Sequence, residues 1–179
     1  MSTNEVWVFG YGSLIWNPEF PFEERQIAEL AGFQRRFCML SIHHRGTPER
    51  PGLVLALDHR DESCCTGVAF RLARANLDAD LERLRERELV SSAYVEEVHD
   101  VLLEDGRRVD ALCYVVDRDH PQYVAEQSLI DQATQIAQSV GGRGPNPEYL
   151  FETYRTLNTL GIDDPDLAFL DREVRKLIG

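Results

Sequence analysis

Two stretches of this 179-residue chain carry residue types at spacings that could do chemistry. The first is Val6-Trp7-Val8-Phe9-Gly10-Tyr11-Gly12-Ser13-Leu14, an apolar strand-like run broken by two glycines and a serine. Glycines at a strand end free the backbone dihedrals and expose N–H groups, and Ser13 adds a hydroxyl. Successive main-chain donors at such a turn form a concavity that suits a carboxylate, or a carbonyl oxygen about to become an oxyanion. A β-bulge whose glycines permit close packing explains the same letters equally well. Three familiar motifs fail on spacing. The dinucleotide fingerprint needs a glycine where Ile15 stands, a P-loop needs a following Lys-Ser or Lys-Thr, and GxSxG needs glycines at Tyr11 and Ile15.

The second stretch begins at Asn76, where NLDADLERLRERELV puts Leu77, Leu81, Leu84 and Glu88 on one helical stripe. A carboxylate on an apolar face loses water, holds its proton more tightly and so suits general acid/base work. A salt bridge to a neighbouring arginine accounts for Glu88 as well. The other members of the run Glu82 to Arg87 read as solvated helix surface with i,i+4 pairing. His43 and His44 lack a spaced carboxylate or cysteine partner, so no metal site is expected. The Gly/Pro-rich stretch from Gly141 to Pro147, ahead of Glu148 and Tyr149, reads as a plain connection between helices.

Strands and turns must position these residues. Val6–Tyr11, Arg35–Ile42 after a turn at Gly32, Gly52–Leu57 and Thr66–Leu72 read as strands. Asp105-Gly106 between β-branched runs predicts a hairpin over Tyr94–Asp117. The last third reads as three helices: one opening at Pro121 and ending at Gly141-Gly142, one from about Glu148 to Leu160, and one from about Asp166 to Ile178 behind Pro165. Non-local strands followed by helices give the class α+β, a curled or barrel-like antiparallel sheet with helices beside it. Length fits a single domain over 1–179, with no repeat and no linker.

Charge narrows the partners. Acidic residues outnumber basic ones 31 to 19, which opposes binding to a phosphate backbone or an anionic bilayer. No nucleic-acid partner and no membrane partner are therefore expected. The four cysteines, Cys38, Cys64, Cys65 and Cys113, have no CxxC spacing and read as reduced thiols, mostly buried in strands. The opening Met1-Ser2-Thr3-Asn4-Glu5 lacks a basic segment followed by an apolar one, so a cytoplasmic protein is expected. With no coiled-coil pattern in view, a monomer is the default.

Taken together, VFGYGSLIW, HHRGTPERPGLVLAL, RERELVSSAY and GPNPEYLFE, in this order from Val8 to about Phe151, resemble the ChaC-like γ-glutamylcyclotransferases. The resemblance implies a γ-glutamylcyclotransferase-like fold, a small mixed β-barrel with flanking helices. It also implies conversion of glutathione, the small-molecule substrate, to 5-oxoproline and Cys-Gly, with no cofactor and no metal. Carried onto this chain, the loop Val8, Phe9, Gly10, Tyr11, Gly12, Ser13 and Leu14 holds the γ-glutamyl group and Glu88 is the acid/base. Tyr149 is a substrate contact, and Arg45 is the arginine expected to meet the substrate's negative charge, with Arg50 as its rival. The alternatives are a cyclotransferase for other γ-glutamyl amino acids or γ-glutamylamines, and a non-catalytic regulator of cation transport. Two departures stand out: Ser92 occupies a position where the family pattern has glycine, and Arg85-Glu86 offers a rival register to Arg87-Glu88. Alignment on Ala93-Tyr94 and the leucine stripe both favour Glu88.

Overall fold

Trp7–Gly10 forms β1, and all four of its residues are buried. A strand buried on both faces reads as an unbroken apolar run, which is why Trp-Val-Phe shows no alternation. The computed structural model describes residues 5–179, so most of the opening segment read for targeting signals lies outside the described residues. β1 pairs antiparallel with β3 (Gly52–Leu72) and parallel with β5 (Arg108–Val116), through Val8↔Phe70 and Val8↔Leu112 among others. With β2 (Phe22–Ser41) and β4 (Tyr94–Leu103) these strands close a barrel in the order β1-β3-β2-β4-β5, completed by β3–β5 pairing. The sheet is therefore mixed, as the resemblance implied, and not the antiparallel sheet that the strand pattern suggested, because β5 pairs parallel with β1 and β3.

β2 and β3 are much longer than the sequence suggests. β2 begins at Phe22 rather than Arg35 and passes straight through Gly32. Its buried positions are Ala28 and Leu30 before Gly32, then Phe33, Arg35 and Phe37 in alternation after it, followed by Cys38, Met39 and Ser41. That one-residue slip in phase, with Gly32 at φ +85°, is the mark of a bulge rather than of a chain reversal. The two runs Gly52–Leu57 and Thr66–Leu72 are one continuous strand, whose polar middle (His59 to Glu62) is exposed. Extended conformation persists there without an apolar pattern, supported by Arg60 donating to the Gln34 carboxamide oxygen at 3.0 Å and by Phe33 against the His59 ring at 4.3 Å. The predicted hairpin is present: β4 and β5 pair from Tyr94↔Val116 to Leu102↔Arg108, and Gly106 takes the left-handed turn position at φ +93°.

The chain forms two compact units, one comprising the residues up to Arg35 with Leu57–Asp117, the other Arg36–Ala56 with Arg118–Gly179. Besides strands, the first unit holds α1 (Ser13–Trp16) and α2 (Leu77–Leu89). The second holds α3 (Leu129–Gln138), a two-residue hairpin of β6 (Val140–Gly141) and β7 (Gly144–Pro145), α4 (Asn146–Thr159) and α5 (Pro165–Ile178). The helix expected from Pro121 instead begins at Leu129, where the Ser128 hydroxyl accepts from the Asp131 N–H as an N-cap. Residues 122–124 are held extended, with Leu40 N–H donating to Gln122 O and Val124 N–H donating to Cys38 O. Sheet-edge pairing there outcompetes the helical pattern. The stretch after Gln138 is likewise no plain connection: Gly142 and Arg143 N–H donate to His43 and His44 carbonyls, and a Cβ at Gly141 would lie 2.5 Å from the Arg45 nitrogen.

Three of the cysteines, Cys38, Cys65 and Cys113, are buried strand residues, while Cys64 is exposed, and all four are free thiols. Burial is the main cause that pushes the Cys113 thiol up to about 12.

Between α2 and β4 the chain turns through Ser92, whose φ is +59°. A side chain there pays about 1 kcal/mol or more for the left-handed conformation, which explains the glycine of the family pattern. Ser92→Gly is expected to raise stability by about 0.5–1 kcal/mol, seen as a higher midpoint with an unchanged slope in urea unfolding.

Candidate active site

The loop after β1 folds back as the single turn α1, with Ile15 N–H bonded to Gly12 O at 2.9 Å and Asn17 N–H to Ser13 O at 2.7 Å. Neither Gly10 nor Gly12 has positive φ; Gly12 sits at φ −141°, ψ −120°, outside the regular helix and strand regions. Close approach is the role of Gly10, while Gly12 supplies the irregular backbone conformation. A Cβ on Gly10 would lie 3.3 Å from both Leu14 Cβ and the Phe70 ring, and one on Gly67 would lie 2.3 Å from the Gly10 carbonyl oxygen. Val8 and Phe9 are fully buried, and Tyr11, Leu14 and Ile15 nearly so, so Ser13 is the loop's partly exposed side chain between Gly10 and Ile15. The Ser13 and Leu14 amides open the turn, where no carbonyl four residues back faces them.

A buried arginine fixes the loop from beneath. Arg35 donates to Tyr11 O and Thr66 O, each at 2.9 Å, and lies 3.8 Å from the Cys65 sulfur. Its position follows from the alternation Phe33, Arg35, Phe37 beyond the Gly32 bulge, a strand periodicity that could have flagged it.

Glu88 occupies the last turn of α2 with a side chain only 14% exposed, whereas Glu86 is exposed. Leu84 is buried and Leu77 and Leu81 are half-buried, so the stripe that the sequence indicated is present. A carboxylate here sits at the negative end of the helix dipole, the end that carboxylates ordinarily avoid. The salt bridge weighed in the sequence reading also exists, with Arg87 Nε 3.4 Å from Glu88 Oε1. The rest of Arg87 faces the loop: Nη2 donates to Ser13 Oγ at 3.2 Å, while Nη1 donates to Asn17 O at 2.7 Å and to Glu19 at 2.9 Å. One guanidinium therefore joins the serine of the loop to the carboxylate of the helix. Arg87 was missed because it stands in a dense charge run; its signal was direct adjacency to the one glutamate on the apolar stripe.

A second set of groups lies one turn back. Arg85 grips the Glu96 carboxylate with Nε at 2.9 Å and Nη2 at 3.1 Å, and the Tyr114 hydroxyl donates to the same carboxylate at 2.9 Å. Burial opposes ionisation of Glu96, yet the bonds from Arg85 and Tyr114 outweigh it and hold the carboxyl below its usual range. Tyr114 is fully buried, and its phenol is pushed up first by burial, then by Glu96 and then by the charge of Glu88.

Arg45 and Tyr149 meet in the second unit. The Arg45 guanidinium lies 5.9 Å from the Tyr149 ring centre, donates to Pro145 O at 3.1 Å and approaches Glu148 at 3.6 Å. The Tyr149 hydroxyl accepts from the Leu55 N–H at 3.1 Å. Arg50, the rival arginine, is exposed and caps a turn through its N–H to Thr47 Oγ1. Among the described residues no group of three or more His, Cys, Asp or Glu is arranged to hold a metal ion, and no helix is long and apolar enough to cross a membrane.

Comparison with known proteins is decisive at the level of family. The family model described as ChaC-like protein matches residues 6–177. This chain belongs to the ChaC-like family. A glutathione-specific γ-glutamylcyclotransferase of Escherichia coli is 38% identical over 97% of this chain and 74% of its own length. One from zebrafish (Danio rerio) is 34% identical over 94% and 88% of the two chains. Among solved structures, a γ-glutamylcyclotransferase specific to glutathione from yeast superposes with a TM-score of 0.88 at 25% identity, covering 97% of each chain. The barrel of this ChaC-like chain is thus the fold of those enzymes.

Arg87→Lys keeps the charge but cannot span Ser13, Asn17 O and Glu88 with one planar fork. Hydrogen exchange of residues 13–19 is expected to speed up by about tenfold in this variant, while the β4–β5 ladder keeps its protection. Unchanged exchange in the loop would show that Arg87 does not hold it.

Proposed function

We propose that this protein is a glutathione-specific γ-glutamylcyclotransferase, releasing 5-oxoproline and Cys-Gly, with Glu88 as its acid/base. The observation that carries the reading is the guanidinium of Arg87 lying between Ser13 Oγ and Glu88, which ties the family's loop to the helix carboxylate. The names of its relatives in bacteria, fission yeast and fish support the substrate.

The reaction needs no second substrate. The α-amine of the γ-glutamyl group attacks the γ-carbonyl carbon, forming the C–N bond of a five-membered lactam, and the bond from that carbon to the cysteinyl nitrogen breaks. Binding the substrate folded brings amine and carbonyl together, an advantage worth about 7–11 kcal/mol in favourable intramolecular cases. At neutral pH the amine arrives as ammonium and cannot attack. Turning that ammonium into the lactam N–H removes two protons. Glu88 takes the first, which frees the amine to attack, and gives it to the departing cysteinyl nitrogen. It then takes the second as the lactam closes and passes it to the released Cys-Gly amine, so the enzyme ends as it began. Main-chain donors of the Gly12–Leu14 turn hold either the substrate α-carboxylate or the oxygen that becomes negative at the attacked carbon. Val8 and Phe9 contribute as the buried strand that fixes the loop, and Gly10, Tyr11, Gly12, Ser13 and Leu14 form its substrate-facing part.

Arg45 and Tyr149 are proposed as further substrate contacts. Because Arg45 also holds Pro145 O, Arg45→Ala is expected to raise the Michaelis constant for glutathione by about tenfold and to lower the melting temperature by a few degrees. A lower melting temperature with an unchanged constant would leave Arg45 purely structural. In this reading the chain acts as one domain and as a cytoplasmic monomer.

The direct test incubates the protein separately with glutathione, γ-Glu-Ala and a γ-glutamylamine and quantifies 5-oxoproline. Product chiefly from glutathione is expected, with Glu88→Gln slower by about 10²–10⁴-fold. Product chiefly from γ-Glu-Ala or the amine would reassign the substrate, and an active Glu88→Gln would remove Glu88 from the chemistry.

A further inference from the structure

The Arg85–Glu96–Tyr114 cluster lies outside the loop and carboxylate that the reaction requires, yet three elements converge on it. Glu96 on β4 stands directly opposite Tyr114 on β5 in the ladder, and Arg85 reaches both carboxylate oxygens from α2. Arg85 is three residues before Glu88, so the two share a helix face. A bidentate arginine–carboxylate pair fixes geometry as well as charge. Here it fixes the rotation of the helix turn that carries Glu88 against the hairpin.

We propose that Glu96 is a positioning residue for the cyclotransferase reaction, setting through Arg85 and Tyr114 both the placement of Glu88 and the charge that Glu88 meets. The proposal rests on the reading of Glu88 as acid/base. Charged and titratable groups around Glu88 include Arg85 and Arg87 on its own helix, Glu96 on β4, Tyr114 on β5 and, through Arg87, Glu19 beyond α1. The charge of Glu88 adds to the rise in the Tyr114 phenol, so the two sites lie within electrostatic reach of each other. Arg85 is half exposed, so solvent weakens these charges without cancelling them.

The signs are opposite for the two ends of the pair. Removing the negative charge of Glu96 leaves Arg85 uncompensated beside Glu88, which favours the ionised carboxylate and makes it a weaker base. Removing Arg85 leaves Glu96 uncompensated, which favours protonated Glu88. A base works in its ionised form, so its acidic limb moves with its proton affinity.

The test measures kcat for 5-oxoproline release from glutathione against pH for wild type, Glu96→Gln, Arg85→Met and Glu88→Gln, with melting temperatures alongside. Asp100→Asn, which removes an exposed arginine–carboxylate pair from the same hairpin, is the control. Glu96→Gln is expected to lower kcat by about tenfold and move the acidic limb down by about half a pH unit, with KM changing less than about twofold. Arg85→Met is expected to move the limb up by a similar amount, and Asp100→Asn to leave it in place. A limb that stays put in both variants, or that moves the same way in both, overturns the proposal even if melting temperatures fall. An inactive wild type, or an active Glu88→Gln, instead overturns the cyclotransferase reading itself, so the two failures are distinguishable.

Discussion

A strand hydrogen-bonded along both edges cannot shift without breaking two ladders, and β1 is such a strand. Antiparallel pairing with β3 and parallel pairing with β5 fix its register from Trp7 onward. The turn that follows inherits this rigidity. Gly10 lets α1 fold back onto the strand end, Gly67 makes room for the Gly10 carbonyl, and Arg35 satisfies the carbonyl of Tyr11. A loop so constrained loses little freedom when it holds a ligand, which is what a site relying on main-chain donors needs.

Glu88 is brought to that fixed loop by a less rigid route. It rides on a helix end, and the helix is attached by side chains: Arg87 toward Ser13 and Asn17, and Arg85 toward Glu96. Two arginines ahead of Glu88 thus tie the helix to the loop and to the hairpin. The division suits the proposed reaction, in which the groups that bind stay fixed while the proton carrier serves two different nitrogens in turn. It also reconciles an acidic protein with an anionic substrate, because short-range donors act inside the range over which salt screens the overall field.

Much of this was legible from residue types. The β1 run, the Asp105-Gly106 hairpin and the Leu77–Glu88 stripe announced themselves through local pattern, and the last two helices through their prolines. What escaped notice depended on partners far along the chain. The exposed middle of β3 carries no apolar alternation, since its support comes from Arg60 on Gln34 and His59 on Phe33 rather than from a buried face. The segment after Pro121 looks helical in isolation and is extended because it finds an edge carbonyl and N–H at Cys38 and Leu40. Arg35 and Arg87 look like ordinary surface charges until the tertiary fold supplies the carbonyls and hydroxyl they serve. The glycines of the opening loop were rightly suspected, with Gly10 serving steric clearance and Gly12 a backbone conformation outside the regular regions.

The placement of the cysteines has a consequence for a protein that is read as handling a thiol-bearing tripeptide. Mixed disulfides form through the thiolate, and a thiol held near 12 exposes almost none of it at neutral pH. Cys113 is moreover enclosed among strands, as are Cys38 and Cys65. Only Cys64 reaches solvent, and burial together with the charge of Glu29 raises its thiol too. Under the proposed function the barrel offers little thiolate to oxidised glutathione, and a carboxylate as proton carrier avoids the oxidation that would disable a cysteine nucleophile.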